Sequence, residues 1–142
     1  MTQEEKDLLL KDLCARLPYR TIIRGIVYEE VFDDNGEETD EVIEKEVTFN
    51  LYIISENSIG FQGEWISLEL CKPYLRPMSS MTEEEEKEYS ELVVKSLYSI
   101  CENNESATTM ANDWYLSKGF DVRNLIPKGL ALEAPKNMYK YG

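Results

Sequence analysis

Residues 46–75 read EVTFNLYIISENSIGFQGEWISLELCKPYL. Two runs rich in β-branched and aromatic residues flank the polar pair Glu56-Asn57, and Gly60 and Gly63 stand where a sheet would bend or turn back. The stretch predicts the centre of an antiparallel sheet. Within VTFNLYII, Val47, Phe49, Leu51 and Ile53 alternate onto one face, and Thr48, Asn50, Tyr52 and Ile54 onto the other, polar at first and apolar later. A far face that is only partly wet predicts a curled sheet or small barrel whose apolar side is covered by helices. Trp65, Ile66, Leu68 and Leu70 supply the next strand, in which Trp65, like Tyr52 before it, is expected to be a core aromatic rather than an exposed binding one.

Upstream, Thr2 and Glu5 have capping-box spacing, so a helix is expected over 2–17. Leu10, Leu13, Cys14 and Leu17 fall on one stripe of it, and Pro18 ends it. TIIRGIVYEEVF is strongly β-prone, with Gly25 marking a bulge or a close backbone approach. Asn35-Gly36 between strand-like runs predicts a type I′ hairpin, which needs positive φ at both residues. A calcium loop fits poorly, because Gly36 is fourth counted from Asp33 where an EF-hand loop needs glycine sixth. The acidic hairpin 29–46 is therefore read as a solvated tip.

Downstream, Pro73 and Pro77 bracket an extended connector. Thr82 and Glu85 repeat the capping-box spacing, and Glu83 to Glu86 complement the positive end of a helix dipole. Tyr89, Leu92, Val93, Leu97, Ile100 and Cys101 form the apolar face of that helix. Ser106 or Thr108 then caps another, with Ala107, Met110, Ala111, Trp114 and Tyr115 on one side, Gly119 as its left-handed C-cap and Phe120 packing back. Leu130 and Leu132 around Ala131 suggest a last short strand. The expected class is α+β in one domain: a curled antiparallel sheet or small barrel of roughly four to six strands over 20–71, one helix before it, helices at 82–102 and 107–118 after it, then a short C-terminal strand and tail within 120–142.

The 142 residues suffice for a core without staples. Cys14, Cys71 and Cys101 form no CxxC pair, which favours a reducing compartment with thiols acting as small hydrophobes. The N-terminus MTQEEKDLLLKDL has no apolar run of signal or span type, so a cytoplasmic protein without membrane association is expected. The net charge of −13 opposes approach to a phosphate backbone, so direct nucleic-acid binding is disfavoured. The acid excess is concentrated in 21–45 and 82–106, nine acids to two bases and eight to two.

The strings KPYLRPMSSMTEEEEKEY (72–89), DW (113–114), FDVRNLIPKGLALEAP (120–135) and MY (138–139), with the opening EEKDLLLKDLCARLPY (4–19), resemble a group of small uncharacterised proteins of phages, prophages and mobile elements of intestinal anaerobes. In that group the tryptophan is usually followed by leucine and asparagine, where Tyr115 and Leu116 stand here. The resemblance implies a source and a shared architecture, and no activity.

The chain has no histidine, the commonest general base and a usual zinc ligand, and no GxSxG, P-loop, GxGxxG or HExxH motif. No cofactor is expected and an enzyme is disfavoured. The leading expectation is a non-enzymatic interaction module that binds a host or phage protein or self-associates. Its candidate surface, mixing aromatics with both charge signs, is Asp113, Trp114, Phe120, Asp121, Arg123 and Asn124, with Tyr74 and Arg76 adjacent. An equal alternative places Trp114 and Phe120 in the core with Arg123 paired locally. A second class of function is an acidic mimic of a nucleic-acid backbone, inhibiting a host nucleic-acid-binding protein through the carboxylates of 29–46 and 83–91. A third is a carboxylate-based, metal-dependent hydrolase.

Overall fold

In the computed structural model, which describes residues 1–103 and 107–139 and the side chains outside 96–108, the N-terminal helix is α1, Gln3–Arg16. Thr2 Oγ1 accepts from the Glu5 N–H at 3.1 Å and Glu5 Oε1 accepts from the Thr2 N–H at 3.0 Å, the reciprocal cap that the spacing predicts. The buried stripe is Leu9, Asp12, Leu13 and Arg16, not the expected one through Leu10, and Cys14 is exposed. Charge pairing is the reason. Arg16 Nε and Nη2 donate to the two Asp12 carboxylate oxygens at 2.6 and 3.2 Å, and a paired, hydrogen-bonded charge can go inside where a lone one cannot.

The chain forms two compact units, Met1–Pro73 and Tyr74–Gly142. In the first, β1 (Ile22–Phe32) and β2 (Glu38–Asn50) pair antiparallel from Ile22↔Asn50 to Glu30↔Val42. Their loop is not type I′: Gly36 has φ 77° and Asn35 does not have positive φ. Gly36 N–H instead donates to Asp33 O at 3.0 Å and Asp33 N–H to Glu37 O at 2.8 Å, a turn followed by one left-handed residue. The Asp33 carboxylate selects this form, since Oδ1 accepts from the N–H groups of both Asn35 and Glu37 at 2.9 Å.

Gly25 marks a close approach, with the strand register unbroken across it. A Cβ there would lie 3.0 Å from Ile66 Cδ1 and 3.2 Å from Phe49 Cε1. Ile66 belongs to β4 (Glu64–Ser67), which pairs with β3 (Ser58–Phe61) as a separate two-stranded sheet. The expectation that 59–70 continues the first sheet therefore does not hold. The turn that makes it a hairpin is Gln62-Gly63, with φ 49° and 79°, the type I′ pattern. This hairpin packs onto the inner face: the Phe61 ring lies tilted against Phe49 at 4.8 Å between ring centroids. Val47 and Phe49 are half-buried and Leu51 fully buried. Ile53, expected on the same face, is exposed, because β2 ends at Asn50 and alternation lapses with it. Trp65 and Tyr52 are exposed too, at 54% and 57%, which overturns their reading as core aromatics. The core hairpin spends Ile59 and Ile66 inward, and period-2 alternation sends Trp65 out.

Strand β5 (Cys71–Leu75) pairs through Cys71–Pro73 antiparallel with β1, and its Tyr74 and Leu75 pair parallel with β6 (Leu132–Glu133). The larger sheet is thus a curled, mixed one of order β2-β1-β5-β6 rather than wholly antiparallel, within the expected α+β class. In the second unit, α2 (Glu83–Asn103) carries the second capping box, Thr82 with Glu85, and α3 (Ala107–Ser117) follows. Gly119, with φ 82°, ends α3 as expected, and Phe120 is fully buried. The Ser106 cap, and the side chains of Leu97, Ile100 and Cys101, lie outside the described residues. No described helix is long and apolar enough to cross a membrane.

Candidate functional site

The residues expected to make a binding surface fall in the second unit, and the structure divides them. Trp114 and Phe120 are 8% and 0% exposed and Asp121 is 5% exposed, so all three are core groups. Tyr89, Trp114, Tyr115 and Phe120 form one aromatic cluster with ring centroids 5.0–6.0 Å apart. Burial, with Tyr89 alongside, pushes the Tyr115 phenol up to about 12. Asp121 Oδ1 and Oδ2 accept from the N–H groups of Leu125 and Ile126 at 2.8 and 3.0 Å, fixing the turn after α3. Asp113 and Asn124 are exposed, and Tyr74 and Arg123 half-buried. The surface is therefore not assembled as a patch.

Arg76 is a structural hub. Its backbone N–H donates to Gly119 O and its carbonyl accepts from Asp121 N–H, both at 2.8 Å. Its guanidinium lies 4.3 Å from the centre of the Phe120 ring, a cation–π contact. The same group donates to Glu85 Oε2 and Oε1 at 2.7 and 2.6 Å. The Arg76 hydrogen bonds, with the Thr82 N–H donating to Glu85 as well, hold the Glu85 carboxyl down at about 2. Nearby, Glu88 Oε1 accepts from Trp114 Nε1 at 3.0 Å and lies 3.4 Å from Lys118 Nζ. Arg76, Glu85, Glu88 and Lys118, with Lys136 and Tyr139, line a groove of about 590 Å³. Arg76 pairs with Glu85 and Lys118 with Glu88 within the unit, which is the chemistry of a structural network.

The first unit carries the less expected surface. Beyond Gly25 the β1–β2 hairpin has no further strand paired to it among the described residues, and its outer half is a two-stranded ribbon. Tyr28, Phe32, Val42 and Ile43 are each 56–60% exposed on it. Around them stand ten acids between Glu29 and Glu46 and a single base, Lys45. Lys45 Nζ reaches Glu29 at 3.3 Å. The Glu38 carboxyl beside it, through side-chain hydrogen bonding and then like charge, raises the Glu30 carboxyl above its ordinary value. Sequence reasoning took the acids for solvation and missed the apolar groups among them; the visible signal is VYEEVF and EVI, apolar residues on a ribbon too long for the domain to cover.

A second exposed group is Trp65, Ile53 and Tyr52. Gly60 is the cross-strand partner of Trp65, and a Cβ on Gly60 would overlap Ile53 Cγ2 and lie 3.6 Å from the Tyr52 hydroxyl, so all three flank one bare glycine. Cys71 is buried, and burial pushes its thiol up to about 12. Among the described residues no group of three or more His, Cys, Asp or Glu side chains is arranged to hold a metal ion. Comparison with protein-family models, curated proteins and solved structures finds no match.

Proposed function

We propose that the chain is a non-enzymatic protein-interaction module that engages its partner through the outer half of the β1–β2 hairpin. One observation carries the reading: Tyr28, Phe32, Val42 and Ile43 are all more than half exposed on a ribbon bearing ten acids and one base. Large apolar groups left in water on a stiff projection favour association, and the surrounding carboxylates select for a basic partner. On the resemblance to phage and mobile-element proteins, that partner would be a protein of the host or the phage.

The acidic-mimic reading draws on the same ribbon with less support. Glu38 lies close enough to Glu30 to raise its carboxyl, and the Asp33 carboxylate turns into its own loop, so these groups are not spread as separate charges like phosphates. The test is capture from a host lysate on immobilised protein, comparing the natural chain with one carrying Tyr28→Ser, Phe32→Ser, Val42→Ser and Ile43→Ser at unchanged charge. The module reading expects a protein held by the first and lost by the second. An identical set of proteins on both, or none on either, counts against it. Asp33, Asp34, Glu37 and Glu38 changed to Lys separate the mimic, which would then lose its target outright.

A further inference from the structure

The sheet order makes β2 an end strand, and the pairing tells which of its backbone groups are unused. Leu51 N–H donates to Thr21 O at 2.8 Å in line with the β1–β2 register. Directly opposed residues of an antiparallel pair alternate between exchanging both hydrogen bonds and exchanging none. Ile23/Phe49, Gly25/Val47, Val27/Lys45 and Glu29/Ile43 are then the bonded pairs. Pro73 agrees with this phase: it stands opposite Ile23 on the other side of β1 and has no N–H to give, and Ile23 already directs its groups to Phe49. It follows that Val42, Glu44, Glu46, Thr48 and Asn50 point their N–H and C=O groups outward, along an edge on which all five residues are exposed.

Most open edges of this length are blunted by proline, by a bulge or by shortness. This strand has 13 residues, no proline, and its one register irregularity lies beyond Val42, between Glu30 and Phe32 of β1. What guards it is charge of one sign. Glu44 and Glu46 project beside the free groups, while Lys45 projects from the opposite face toward Glu29. Arg24 shares the face of Glu46 but sits one strand inward. A second copy of this chain pairing at the same edge would set carboxylate against carboxylate, whereas a strand bearing Lys or Arg at alternate positions meets the opposite charge.

We propose that the free edge of β2 accepts an extended, Lys/Arg-bearing segment of a partner protein by strand addition, residues 42–50 supplying the template. This rests on the interaction-module reading and gives it a binding mode. The probe is a capped peptide of alternating lysine and valine, compared with its fully N-methylated copy, which has the same charge and no N–H to donate. Binding is followed by amide hydrogen exchange. The expected result is slowed exchange at Val42, Glu44, Glu46 and Thr48 with the first peptide, and affinity lower by roughly tenfold or more for the N-methylated copy and for Glu44→Lys/Glu46→Lys protein. Equal binding of the two peptides, protection elsewhere, or no binding overturns strand addition. If that happens while the four-serine variant still loses its captured partner, the module stands and only the binding mode falls. If the peptide pairs as expected but capture ignores the four serines, the hairpin-tip reading falls instead.

Discussion

Arg76 and Glu85 are joined by two parallel hydrogen bonds, of 2.7 and 2.6 Å, that tie the segment just past the end of β5 to the first turn of α2. The pair explains why the residues around Arg76 form a network and not a ligand site, since a bidentate carboxylate occupies the fork that an anion would need.

The first prediction follows from that pair. With the Glu85 carboxyl lowered from 4.5 to about 2 in the folded chain, its stabilisation is fully present above the ordinary carboxylate range and is lost as pH falls from 4.5 toward 2. Glu85→Gln, which keeps a capping amide, should cost about 1.5–3 kcal/mol at pH 7. In urea melts the gap between variant and natural protein should shrink steadily below pH 4.5 and be nearly closed at the lower end; a gap independent of pH contradicts the account.

Asp12 and Arg16 make a second case. Both side chains are fully buried, so Asp12→Ala leaves a guanidinium without its carboxylate and should cost about 3–5 kcal/mol. Replacing both by Leu and Met should cost much less than the sum of the single changes. Chemical denaturation of the three variants measures this, and additive costs would show that the two side chains are independent.

At Gly60, an added methyl group meets the Ile53 side chain directly. Gly60→Ala should destabilise by about 1–3 kcal/mol. Adding Ile53→Ala should return most of the loss, since the obstructing atom is then gone. No recovery in the double variant would place the strain in the backbone and not in this contact.

The backbone phase of β2 predicts alternating amide exchange in the free protein. Lys45, Val47 and Phe49 N–H groups should exchange slowly, and Glu44, Glu46 and Thr48 fast. The reverse alternation would mean a one-residue register shift, which exchanges the faces of the strand.

Much of the fold is legible in local chemistry. Thr2 with Glu5, Thr82 with Glu85 and Gly119 mark helix ends because each acts within a few residues of itself. Other features depend on distant partners. Which stripe of α1 goes inside was decided by Asp12 and Arg16, polar residues that a count of apolar positions assigns to water. Asn35-Gly36 carries the type I′ signature, yet the Asp33 carboxylate two residues earlier satisfied a different turn, and Gln62-Gly63 took the type I′ geometry instead. The binding surface was harder still. Trp114 and Phe120 have the composition of interface anchors, but the C-cap at Gly119 folds Phe120 back beneath Arg76. Among the described residues the exposed large aromatics are Tyr28, Phe32, Tyr52 and Trp65, and strand alternation cannot say which face another hairpin will cover.

The central claim, that the hairpin end carrying Tyr28, Phe32, Val42 and Ile43 on its two faces makes the contact, is tested most directly by the affinity of the captured partner for hairpin variants that fold normally. Because these side chains are exposed, Phe32→Ser with Val42→Ser should leave the unfolding free energy from urea melts within about 0.5 kcal/mol of the natural protein. Titration calorimetry with the purified partner should then show binding weakened by roughly tenfold or more. Unchanged affinity in a variant of unchanged stability would contradict the account.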